Sequence, residues 1–166
     1  MTKKHIFSFL LALSFGSIVA AQDLSKFNLY RPTENAKEAL GKVIKQAQKE
    51  RKNVLVQIGG NWCIWCARFD DMVSKDQQLD SAMNANFKVY HLNYSKENKN
   101  NELLATYQFP QRFGFPVFLI LNEKGELLHT QNSWYLEADK AYNKEKTMAF
   151  FSDWSKEALD PNNYKN

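Results

Sequence analysis

The sequence predicts an α/β domain with a central mixed β-sheet flanked by helices on both faces. Three observations lead there. The apolar period switches between helical spacing and short β-branched runs along the chain. A strand, helix, strand succession is followed by a hairpin, which adds antiparallel pairing to a parallel, right-handed unit. Without its first 21 residues the chain has 145, a length that suits one domain with a single buried core.

The elements follow in order. From Thr33 to Arg51 the positions Ala36, Ala39, Leu40, Val43, Ile44 and Ala47 recur at helical spacing, with Thr33 or Asn35 as cap and Asn53 beyond the end. VLVQI, Val54 to Ile58, is a short β-branched run bounded by Asn53 and Gly59-Gly60, and reads as a buried strand. Cys63 to Ser74 and Gln77 to Asn86 read as helix, FKVYHLNY as strand, and Glu102 to Tyr107 as a short helix. Pro116 opens the strand VFLIL, NEKG at 122–125 reverses the chain and ELLHT returns it. Met148, Phe151, Trp154 and Ala158 mark one face of a final helix. SKENKNN at 95–101 is expected to be an exposed loop, and Pro32, Pro110 and Pro161 to punctuate loops.

Residues 1–21 read as a secretory signal peptide: Lys3 and Lys4, an apolar run from Ile6 to Ala20, then Val19 and Ala21 at the spacing a signal peptidase reads. Ser8, Ser14, Gly16 and Ser17 interrupt the run, which falls short of the ~20 apolar residues that span a bilayer. No cysteine stands at the junction to carry a lipid anchor. A soluble periplasmic or secreted protein is expected, without stable membrane insertion. Losing Lys3 and Lys4 lowers the formal charge from +4 to +2. The remaining basic residues are interspersed with acids, a balance that argues against nucleic acid as a partner.

The only two cysteines, Cys63 and Cys66, lie in NWCIWCARFD. They could form a structural staple, part of a metal site, or a redox centre. A disulfide closing so small a loop removes little entropy from the unfolded chain. Structural zinc needs four ligands, and beyond the cysteines the mature chain offers only His91 and His129, on different predicted strands. Nothing sets either imidazole beside Cys63 as a nucleophile's base. Both histidines read as polar residues at a strand face or end.

A buried strand running into WCxxC at a helix start, with a Gly-aromatic-Pro some fifty residues later ahead of a second apolar strand, resembles the thioredoxin superfamily. KNVLVQIGGNWCIWCARFDDMVSKDQQL is similar to the secreted thioredoxin-like proteins with a WCxWC-type motif. The resemblance covers Asn53 to Trp154 and makes 22–166 a thioredoxin-like domain. It implies a thiol-disulfide oxidoreductase without an organic cofactor, acting on disulfide-containing client proteins. A thiolate is the attacking species, and the free N–H groups of a helix's first turn stabilise it, so Cys63 reads as the nucleophile and Cys66, one turn on, as the resolving thiol.

The resemblance also implies a cis bond before Pro116, with the backbone of Phe115 pairing with an extended client. It makes Trp62 a cover over the disulfide and an apolar platform for clients. Trp65 belongs either to that client-binding surface or, equally, half-buried on the first helical turn. Trp134 and Tyr135 either border the same groove or, the preferred reading, pack beneath the last helix. One departure matters: thioredoxin carries a buried acid six residues before the first cysteine, where this chain has Gln57. An amide cannot exchange a proton at neutral pH, leaving water or Asp70 or Asp71 for that duty, although both acids are expected to face solvent. Ile64 and Trp65 put no charge between the cysteines, and Arg68 lies beyond Cys66 with two acids after it. A reducing potential is therefore expected, with a membrane-bound electron donor as partner. The alternatives are a binding module with an incidental disulfide and a periplasmic oxidase.

Overall fold

The computed structural model describes residues 24–165. The signal peptide expected at 1–21 lies outside them. A four-stranded mixed sheet has the order β2-β1-β3-β4, with β1 (Asn53–Gly59), β2 (Phe87–Asn93), β3 (Val117–Leu121) and β4 (Leu127–Asn132). β1 runs parallel to β2 and antiparallel to β3, which in turn is antiparallel to β4. The described residues hold five α-helices: α1 (Ala36–Glu50), α2 (Ile64–Lys75), α3 (Gln77–Asn86), α4 (Asn101–Thr106) and α5 (Lys144–Asp153). A small hairpin of β5 (Glu137–Ala138) and β6 (Ala141–Tyr142) precedes α5.

The layering follows from strand alternation. Val54, Val56 and Ile58 of β1 and Val117, Leu119 and Leu121 of β3 share one core with Ala36, Leu40 and Ala47 of α1 and Leu104 of α4. The residues between them, Leu55, Phe118 and Ile120, point the other way, into a second core with Phe69 and Val73 of α2, Leu79 of α3 and Phe150 and Phe151 of α5. A strand buried on both faces must be apolar almost throughout, which is why VLVQI lacks a polar alternation.

Local chemistry sets the ends. Asn35 caps α1, its Oδ1 accepting the Glu38 amide at 3.2 Å, and Arg51 closes the helix in the left-handed region at φ 54°. The helix thus stops before Asn53, which opens β1 and donates from Nδ2 to the Trp154 carbonyl at 3.0 Å. Asp76 separates α2 from α3 by accepting the amides of Gln78 and Leu79. Pro110 and Pro161 begin one-turn 3₁₀ helices, Pro110–Phe113 and Pro161–Tyr164.

Three expectations need correction. The final helix ends at Asp153, so Ala158 is not on it, and its buried stripe is Thr147, Phe150 and Phe151. Trp134 and Tyr135 do not pack beneath it: they are 76% and 72% exposed. Both lie in a 3₁₀ turn, Ser133–Leu136, whose first and last residues face inward and leave the middle pair outside. The 95–101 segment is exposed at Lys96, Glu97, Lys99 and Asn101 but not throughout. Asn98 and Asn100 turn inward, with Asn98 Nδ2 donating to the Pro32 carbonyl at 3.0 Å and Asn100 Nδ2 to the Asn93 carbonyl at 2.8 Å.

Phe69 is the hinge of the second core, its ring 4.5 Å from Phe118, 5.1 Å from Tyr142 and 6.4 Å from Phe151. Phe69→Ala should cost about 3–5 kcal/mol in urea unfolding. Leu128→Ala, at an exposed position of β4, should stay within ~0.5 kcal/mol. Equal midpoints for the two variants would contradict the packing.

Candidate functional site

β1 ends at Gly59, and four residues later the chain enters α2. Cys63 is the cap of that helix: its backbone is extended (φ −89°, ψ 103°) and its Sγ accepts the Cys66 amide at 3.1 Å. A sulfur in the capping position receives one of the N–H groups that a helix start leaves unpaired. Cys63 and Cys66 form a disulfide with Cα atoms 5.2 Å apart. Cys63 keeps 3% of its surface exposed and Cys66 none, so an incoming group meets Cys63 first.

The two glycines before the motif are there for close approach. A methyl group built on Gly59 would lie 2.4 Å from Cys66 Sγ and 2.8 Å from the Tyr30 hydroxyl. One on Gly60 would lie 2.4 Å from the indole nitrogen of Trp62. Gly59 and Gly60 do more than bound a strand: they let a sulfur and an indole rest on the backbone.

Trp62 is half exposed, donates from Nε1 to the Tyr94 carbonyl at 2.8 Å and meets Phe115 edge-on at 5.5 Å. Phe115 in turn lies 4.7 Å from Tyr94. The Phe115–Pro116 peptide bond is cis, and Val117 immediately after it pairs with Ile58 of β1. The cysteine loop and the proline loop are thus joined through three aromatic rings. Phe115 also packs against the buried cluster formed by Cys63, Cys66 and Tyr30.

Trp65 is half-buried between that cluster and the second core, edge-on to Tyr142 at 5.6 Å, with the Arg68 guanidinium 4.6 Å above its ring. Arg68 is therefore partly covered rather than freely hydrated, and also donates to the Lys140 carbonyl at 3.4 Å. Asp70 is half-buried instead of facing solvent, while the Asp71 side chain stays exposed and pairs with Lys75. Burial, and to a lesser extent Asp71, pushes the Asp70 carboxyl above its usual range.

The buried side of the disulfide is closed by Tyr30, with Phe27 and Leu29 beside it. Sequence reasoning missed this segment because it precedes the first periodic element. Asn61, next to the motif, fastens it by accepting from the Tyr30 amide and donating to the Tyr30 carbonyl, both at 3.0 Å. Gln57 is 2% exposed and its Nε2 has no hydrogen-bond partner among the described residues. His91 pairs in register with Gln57 and its ring meets Tyr30 edge-on at 5.6 Å. His129, far along β4, stacks on Trp154 at 4.2 Å. The two imidazoles belong to different environments, and among the described residues no cluster of three or more His, Cys, Asp or Glu could hold a metal.

Sheet order, helix placement and the cysteine pair make this a thioredoxin-fold protein. The model of the Thioredoxin-like family matches residues 35–123, more than half of the chain, and the chain belongs to that family. No curated protein sequence matches it. Among solved structures, a disulphide isomerase from Xylella fastidiosa Temecula1 is similar with a TM-score of 0.67 and 23% identity, over 76% of this chain and 97% of that one. A DsbH oxidoreductase is similar at a TM-score of 0.53 and 16% identity, over 72% and 82%. The C-terminal domain of DsbD from Neisseria meningitidis, in its oxidised form, is similar at 0.52 and 18%, over 70% and 94%. At these identities the likeness is one of fold.

Burial lowers the His91 pKa to about 4, below the ~6.5 of an exposed imidazole. The folded state holds this ring neutral, so between those two values the unfolded chain binds more protons. The associated stability is fully present above about pH 6.5 and is lost as the pH falls towards 4, by an amount on the order of 3 kcal/mol. Urea midpoints at pH 7 and pH 4.5 check this. The drop should be clearly smaller in His91→Gln than in wild type, and equal drops would remove His91 from the account.

Proposed function

We propose that this chain is an exported thiol-disulfide oxidoreductase that reduces, or isomerises, disulfides in client proteins. The observation that carries the reading is the sulfur of Cys63 in the capping position of α2, accepting a backbone N–H beside the cis Phe115–Pro116 bond. The same N–H and helix terminus that hold a divalent sulfur stabilise a thiolate better, because a charged acceptor makes the stronger hydrogen bond.

In the reduced protein the Cys63 thiolate attacks one sulfur of a client disulfide. A Cys63–client bond forms, the client's own S–S bond breaks, and its second sulfur leaves and takes up a proton. Cys66 then attacks Cys63 Sγ, re-forming the internal disulfide and releasing the remaining client sulfur. Two electrons pass from the dithiol to the client. Phe115 packs against the cysteine cluster, and with Trp62 and Pro116 it would form the surface an extended client lies on. Trp65, wedged between cores, supports the helix start more than it meets the client.

The direction of flow follows from what surrounds Cys63. The residues between the cysteines carry no charge, and Arg68 is engaged over Trp65. Stabilisation of the thiolate then rests on the helix start alone, which favours a reducing potential. A reductase in an oxidising compartment must be recharged, and a membrane-bound donor fits a protein exported by its leader at 1–21. Among the described residues no helix is long and apolar enough to cross a membrane.

Wild type should reduce insulin-type disulfides and Cys63→Ser should not. Cys66→Ser should accumulate covalent mixed disulfides with client proteins on non-reducing gels, while Cys63→Ser traps almost none. Equal insulin rates for wild type and Cys63→Ser would make this a binding module. Equilibration with glutathione buffers should leave the pair oxidised where structural disulfides form, and a pair that stays reduced there would identify an oxidase.

A further inference from the structure

A buried hydroxyl with no partner lies beside the resolving sulfur. Tyr30 is 1% exposed, and its Oη finds no hydrogen-bond partner among the described residues. Burying a donor without an acceptor costs free energy that a phenylalanine would not. The hydroxyl and Cys66 Sγ lie over the same backbone atom, since a methyl group on Gly59 would meet both. In the disulfide that sulfur is a weak acceptor. As a thiolate it is a strong one.

We propose that Tyr30 is a positioning residue: once the disulfide opens, its hydroxyl donates a hydrogen bond to Cys66 Sγ and holds the resolving thiolate ready to attack the Cys63–client bond. This rests on the exchange reading given above. In that step a Cys66–Cys63 bond forms and the Cys63–client bond breaks. The bonding pair leaves with the client sulfur, and the proton lost by Cys66 is balanced by the one the client thiolate takes up. Tyr30 keeps its own proton throughout.

The surroundings suit a donor that does not ionise. Desolvation holds the Tyr30 hydroxyl far above its usual pKa. Gln57 on β1 acts on it in the opposite sense without reaching hydrogen-bonding geometry, while Tyr142 on β6 and Asp70 on α2 push it further up. His91 on β2, edge-on to the ring, is kept neutral by its own burial. The amide at 57 cannot accept the Cys66 proton. The two bonds from Asn61 tie Tyr30 to the residue preceding Trp62, so the donor is registered to the cysteine loop. Tyr30 also lies before residues 35–123, the span matched by the family.

Tyr30→Phe in the otherwise intact chain tests the proposal. Reduced protein mixed with an aromatic disulfide such as dithionitrobenzoate releases one coloured thiolate when Cys63 attacks and a second when Cys66 resolves. The second phase should slow about tenfold at neutral pH, with its pH midpoint raised by about one unit, the effect of losing one hydrogen bond to a charged sulfur. The first phase should be unchanged, and the oxidised variant should melt no lower than wild type because only an unpartnered hydroxyl is lost. A second phase with wild-type rate and midpoint overturns the proposal. So does a change in both phases together or a large fall in the melting temperature of the oxidised form, either of which would make Tyr30 a structural residue. Wild type that releases no coloured thiolate would instead sink the exchange reading on which the proposal rests.

Discussion

Everything near the cysteines depends on where β1 stops. All seven of its residues are buried, because it lies between β2 and β3 with helices on both sides. Such a strand cannot slip, since a shift of one residue would turn Gln57 into the α1 core and move every apolar side chain to the wrong face. Its end is therefore a fixed point. Gly59 and Gly60 then let the chain turn under Cys66, Tyr30 and Trp62 without a side chain in the way, and Cys63 arrives as the cap of α2. The position of the sulfur is thus inherited from the register of the sheet.

The second wall of the site is inherited in the same way. β3 is held to β1 with Val117 opposite Ile58, which brings Phe115 and Pro116 beside the cysteine loop. Trp62, Phe115 and Tyr94 complete the tie with ring contacts and one indole hydrogen bond. Each of these groups leaves a different strand end, so the rim is rigid where a client would be gripped although it is made of loops. The exposed pair Trp134 and Tyr135 follows β4, whose Asn132 pairs with Val117, and so stands at the same end of the sheet.

The helices and strands were legible because each carries a period that burial enforces. VLVQI and VFLIL read as two-face-buried strands, and the mixed sheet followed from their order. The cysteine pair was legible as a redox motif from its flanking tryptophans and the strand in front. The misses have a common physical origin. Tyr30 sits in a segment with no period, held by side-chain bonds to Asn61 that no local pattern announces. Trp134 and Tyr135 were read by hydrophobicity, but a one-turn 3₁₀ helix buries its ends and exposes its middle. The inward asparagines at 98 and 100 satisfy backbone groups that a loop cannot satisfy itself, and composition alone made that loop look solvated.

Three of the five unpaired buried polar atoms among the described residues carry donors. Tyr30 Oη, Gln57 Nε2 and Tyr142 Oη are all without partners among the described residues, and Tyr30 and Tyr142 flank the first turn of α2, against the cysteines and against Trp65 respectively. Of these, Tyr30 lies in the cluster of the two cysteines, where a sulfur changes from a weak acceptor to a strong one with redox state. The helix start and the buried hydroxyl then act on different sulfurs: the first favours attack by Cys63, and the second favours resolution by Cys66.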